Sequence, residues 1–341
     1  MRATEFLNEA ISITQYESNF IAAFKTGFAR GFAGVANAAI DKYYPDLVHA
    51  FTKNCQADNL INFIRMEFSS NIASKTAEEL LDVCHKILGK DTITSITFAR
   101  LGDGTHGMAR HTDIYISWED FDELIRMTIK NLIDLSYKTS KKIDFEKDEV
   151  NDTWTGDIDN FIVITKMFSI GDKQINKIIY GNDRIINVII DTFVHELVHV
   201  VQYKPQLEKN FDKALYRSYL QKTKDELEQS KPKTDQELTR WNDLYFSSPQ
   251  EIGAFAHNVA LTVIRKNMFD KCDIQELPAL FKKLTTEDIA DAIRKIIGSN
   301  RFKNPANSKE IKVYNRYLKL AYLEIQRYVD SRLKTSIINK R

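Results

Sequence analysis

Cysteine is scarce in this 341-residue chain, with only Cys55, Cys84 and Cys272 present. They are odd in number, far apart and outside any CxxC pair, which excludes a disulfide framework and a thiolate zinc knuckle and leaves ordinary buried or half-buried thiols. Charge of one sign is also missing. Lys and Arg total 48 against 47 Asp and Glu, a formal net charge of +1, so there is no electrostatic case for a nucleic-acid or anionic-membrane partner. No stretch approaches the ~18 uninterrupted apolar residues of a membrane span, and no cationic start leads into an apolar run. Neither a secretory signal nor a membrane span is expected, and the expected location is cytoplasmic. Internal repeats and low-complexity segments are absent as well.

What the chain does have is apolar material, 43% of its residues, enough for a large core or for two domains. Apolar residues recur every three or four positions through Glu5–Ile13, Asn19–Lys42, Asp46–Phe51 and Ala77–Leu88, which predicts a helical region over 1–90. Within it, Gly27, Gly31 and Gly34 share related helix faces, a spacing that lets a second helix approach closely; no function is assigned to them. Ile93, Ile96 and Phe98, then Ile114 and Ile116, predict two short strands around the glycine-bearing loop Leu101–His111. A helix with Phe121, Leu124, Ile125 and Ile129 follows, and Asn160–Phe168 reads as a further strand. The turn residues Gly181, Asn182 and Asp183 open a helix from Arg184 to Tyr203, with Pro205 marking its end. A highly charged helical insert over 206–243 and a helix opened by Pro249 come next, and 269–341 is again helical. The expected class is α+β and predominantly helical, with a central domain over 91–268.

Residues 195–199 read His-Glu-Leu-Val-His. A spacing of four puts His195 and His199 on one helical face, one turn apart, where both imidazoles can bind one metal ion. Glu196 projects beside such an ion and is placed to accept a proton from the attacking water. Ile185, Ile186, Ile189, Ile190, Phe193, Val194, Leu197, Val198 and Val200 surround the motif, so the helix is apolar on nearly every side and should be central. Three polar side chains there are costly unless they are paired or bind metal. A hydrogen-bonded structural cluster is the alternative. A catalytic zinc needs a third protein ligand, and Glu251, in Ser-Ser-Pro-Gln-Glu-Ile-Gly-Ala-Phe-Ala, is the best candidate. Pro249 fixes the start of that helix, and Gly253, Ala254 and Ala256 permit close packing on the site helix. By itself Glu251 would be read as an acid favoured by the helix dipole.

The two segments together resemble the zincin metallopeptidases, in the glutamate-ligated branch that includes thermolysin and anthrax lethal factor. The resemblance covers about Ile185 to Asn258. It implies a zincin-like core with a small mixed sheet, zinc held by His195, His199 and Glu251, Glu196 as general base, and a peptide or protein substrate cut internally. It also implies that an extended peptide lies along an edge strand, for which His111–Ser117 is the candidate, with His106 and His111 as auxiliary groups. The connection between the two helices is much longer than in thermolysin, and Phe255 stands where thermolysin-type helices carry an orienting aspartate. Charge growing on the scissile carbonyl calls for a proton donor opposite the metal; Tyr245 and His257 are the nearest candidates, and Asp191 can orient His195.

The opening Met-Arg-Ala-Thr-Glu-Phe-Leu resembles the first residues of many proteins of large tailed bacteriophages. That implies the host cytoplasm or the virion as the setting. It also phrases the rival to the enzyme, a structural or binding protein of a virion that keeps a zincin fold with a non-catalytic metal site and contacts other virion proteins.

Overall fold

The computed structural model describes residues 13–32, 57–102, 105–139, 146–148, 153–155, 183–208, 245–298 and 308–338. The expected strand Asn160–Phe168, the insert over 206–243 beyond Glu208, and Gly34 and Cys55 lie outside these residues. The described structure is predominantly helical with a small mixed sheet. The chain divides into two compact units, one of Met1–Ser18 with Phe193–Arg341 and the other of Asn19–Thr192.

In the unit Asn19–Thr192, helix α1 (17–32, from residue 19 onward) packs against α2 (Ala57–Leu88). The approach is as close as the glycine spacing predicts: a Cβ added at Gly27 would lie 2.7 Å from the Lys75 carbonyl oxygen, and one at Gly31 would lie 2.7 Å from Ile72 Cα. Strands β1 (Ser95–Ala99), β2 (Gly107–Arg110) and β3 (Asp113–Ser117) form a sheet in the order β1-β3-β2, with β1 parallel and β2 antiparallel to β3. Strand β2 falls inside the segment expected to be a loop; its Gly-Met-Ala-Arg sequence lacks the alternation that marks a half-buried strand. The candidate edge His111–Ser117 is therefore corrected. β3 is the central strand with its backbone committed on both sides, so it cannot accept an added strand. Phe98 from β1 and Phe121 from α3 (Trp118–Thr139) stack at 4.1 Å between centroids, with Phe24 and Phe28 edge-on around Phe121. Two further short strands, β4 (Glu146–Asp148) and β5 (Thr153–Thr155), pair antiparallel.

Helix α4 runs Asp183–Glu208, past Pro205, where the sequence led us to end it. A proline removes one helical hydrogen bond without removing those of its neighbours. At its start, Asp183 accepts a hydrogen bond from Lys25 at 2.8 Å. By length and composition Asp183–Gln202 also suits a membrane span, but 61% of that window is buried inside the protein, the condition of a core helix.

The other unit is built on α5 (Pro249–Lys266), which packs against α7 (Thr286–Ile297) and the long α8 (Ser308–Ile338), with the short α6 (Leu277–Lys283) against α8. Ile252, Val259, Val263, Ile293, Tyr317 and Ile325 form its apolar centre. Thr285 caps α7 in a reciprocal box with Asp288, satisfying two orphan N–H groups at once. The 3-10 helix Ile13–Tyr16 is drawn into this unit by Thr14, which is fully buried, and the next residue, Glu17, pairs with Arg265.

Candidate metal centre

His195, Glu196 and His199 are each 7% exposed, held inside by Phe193, Val194, Leu197, Val198 and Val200 on the same helix. Burying each large apolar side chain contributes about 1.5–3 kcal/mol, which sustains the cost of three polar groups among them. The second element arrives by capping. Ser248 is the N-cap of α5 with an extended backbone, Pro249 follows in the first turn, and the Glu251 N–H donates to Ser248 Oγ at 3.3 Å. Ser-Pro-Gln-Glu has the spelling of a capping box, in which the glutamate would turn back to the cap N–H. Here the Glu251 carboxylate faces the histidines instead.

Three donor groups converge. His195 Nε2 and His199 Nε2 are 3.2 Å apart, Glu251 Oε2 lies 3.3 Å from His195 Nε2, and Glu251 Oε1 lies 3.5 Å from His199 Nε2. Donors at zinc-like bond lengths in a tetrahedral shell are separated by about 3.3 Å, so the residues fit a metal ion of this kind. Two imidazole nitrogens with no carbon between them would otherwise have to share one proton. Glu251 Oε2 is buried, and none of its contacts, the one to His195 included, has full hydrogen-bond geometry, as expected of an oxygen whose natural partner is a cation. These three residues can hold a metal ion, and they are the one such group among the described residues. Two nitrogens and a carboxylate suit zinc and related transition metals better than calcium or magnesium, which take oxygen.

The electrostatics agree with a cluster tuned by its own members. Burial pushes the Glu251 carboxyl up, but hydrogen bonding and charge from His195 and His199 outweigh it and bring it down to about 2. Burial opposes protonation of His199, yet Glu251 and then Glu196 hold its pKa above the ordinary value. Tyr245 is raised by burial, by the Glu251 charge and by a hydrogen bond to Glu251, so its phenol remains a proton donor. Its neighbour Phe246 offers a carbonyl to Tyr317 Oη at 2.8 Å, which pins the segment carrying Tyr245 to α8. Phe255 stands edge-on to the His195 ring at 4.5 Å and holds that imidazole by packing.

Of the residues expected from sequence, His195, Glu196, His199, Glu251 and Tyr245 come together. His257 does not join the donor triangle. It is buried, with Nδ1 at 2.8 Å from Thr14 Oγ1 and 3.4 Å from Glu324 Oε2, and its pKa is lowered by burial against the opposing Glu324 charge. His106 pairs with Asp120 at 2.9 Å and His111 takes a turn conformation at φ 57°, both within the unit Asn19–Thr192. Asp191 is half-buried. Thr14, Glu324 and Tyr317 escaped the sequence reading, since their partners lie 243, 310 and 71 residues away. No family model, curated protein or solved structure matches the chain.

Proposed function

We propose that this chain is a zinc-dependent peptidase of the glutamate-ligated zincin kind, a reading carried by the near-equal triangle of His195 Nε2, His199 Nε2 and the Glu251 carboxylate. Zinc held there supplies a Lewis acid that polarises a carbonyl and makes water acidic near neutral pH. Glu196 supports the reading because it is buried beside His195 and its charge acts on both His199 and Tyr245, which puts a carboxylate within the same small space. Its carboxylate takes the proton of the attacking water and returns it to the nitrogen of the departing amine. Tyr245, kept protonated, donates a hydrogen bond to the carbonyl oxygen as negative charge grows on it. The substrate is a peptide or protein.

The test is Glu196→Gln. Metal analysis of the parent and the variant should find zinc in both, while cleavage of a peptide library by the variant falls by at least a thousandfold. A variant that cleaves as fast as the parent removes Glu196 from the mechanism. A zinc-loaded parent that cleaves nothing in a broad library favours the structural role.

A further inference from the structure

Two more polar atoms are buried at this site without a partner in full hydrogen-bond geometry: His199 Nδ1 and Gln202 Oε1. Leaving such an atom unmatched costs about 1–3 kcal/mol, so two such atoms on one helix face call for explanation. Gln202 follows His199 by three residues and shares its helix face. The other end of its carboxamide is already placed, since Nε2 faces the Gln250 carbonyl oxygen at 3.5 Å and lies over Gly253, where an added Cβ would collide with that nitrogen. A glycine inside a helix costs about 1 kcal/mol relative to alanine. At Gly253 the missing Cβ is the notch that seats the amide. With nitrogen turned to Gln250, oxygen is the end left for His199.

We propose that Gln202 is a positioning residue whose Oε1 accepts the Nδ1 proton of His199, fixing the tautomer that presents Nε2 to His195 and Glu251. The idea rests on the metal-site reading of that group. An imidazole free to swap tautomers spends part of its time with a proton where a ligand lone pair is needed.

Zinc affinity, measured by chelator competition on the full chain, should fall 10- to 100-fold in Gln202→Leu and in Gly253→Ala, which displaces the amide. It should stay within a few-fold of the parent in Gln202→Glu, whose carboxylate accepts the same proton. Nitrogen-15 NMR of the zinc-loaded parent should show a slowly exchanging proton on His199 Nδ1, and that protection should vanish in Gln202→Leu. A folded Gln202→Leu that binds zinc as tightly as the parent overturns the proposal, as does a freely exchanging Nδ1 proton in the parent. Should Gln202→Leu fail to fold, the parent's spectrum decides alone. A folded parent with no affinity for zinc overturns the metal-site reading itself, and the role of Gln202 with it.

Discussion

Zinc added to metal-free protein should raise its melting temperature, and the fold sets the scale of the rise. The ligands sit on two helices, His195 and His199 on Asp183–Glu208 and Glu251 on Pro249–Lys266. An unfolded chain offers at best the histidine pair, so the ion binds the native state by a wide margin. At a free concentration 100 times the dissociation constant this contributes about 2.7 kcal/mol, which for a cooperative unit of roughly 150–250 residues means about 5–10 °C. The rise should grow with pH. His199 is held above its ordinary value of 6.5 in the metal-free fold; the stability this gives is complete below 6.5 and is lost as pH climbs through the raised value. Glu251, lowered from 4.5 to about 2, contributes stability above 4.5 that is lost as pH falls toward 2. Between those limits the metal-free site keeps a proton that zinc must expel, so zinc gains up to about 1.4 kcal/mol per pH unit for each proton displaced. Scanning calorimetry at pH 6 and pH 8, with and without zinc and for the parent and Glu251→Gln, measures this. A melting temperature unmoved by saturating zinc would refute the reasoning, as would a rise that Glu251→Gln keeps in full.

Two further outcomes follow from named contacts. Gly31→Ala puts a Cβ 2.7 Å from Ile72 Cα, a backbone atom that cannot swing aside, and should cost about 1–3 kcal/mol in denaturant unfolding; an unchanged midpoint would mean the two helices separate without penalty. Tyr245→Phe should lower kcat by about 10- to 1000-fold with KM and zinc content nearly unchanged. Because burial and Glu251 both raise the Tyr245 pKa, the parent should show no alkaline loss of activity from this phenol, and an alkaline limb that disappears in Tyr245→Phe would count against its being a neutral donor.

The centre was legible in the sequence where its geometry is local. His195 and His199 are one helical turn apart, and that interval alone puts their nitrogens on one face. Gly27 and Gly31 announced a close helix contact in the same way, because one face of one helix carries the whole signal. Strand β2 was missed for the opposite reason: Gly107–Arg110 earns its extended form by pairing with β3, not from its own pattern. The central place of β3 was invisible on the same ground, since which strand lies between two others is a property of the sheet.

Glu251 marks the boundary between the two kinds of knowledge. Its identity, its place in the first turn of a helix and the serine three residues before it are all written in the chain. That its carboxylate turns away from the cap toward two histidines more than fifty residues back is not. The two-histidine face, the buried character of its helix and the types of donor on offer follow from the chain alone, because each depends on spacings within one or two helical turns. The tertiary structure alone decided that the donors meet within 3.2–3.5 Å, that His257 joins Thr14 and Glu324, and that Gly253 makes room for Gln202. Those are distances between elements, and no periodicity along a single element encodes them.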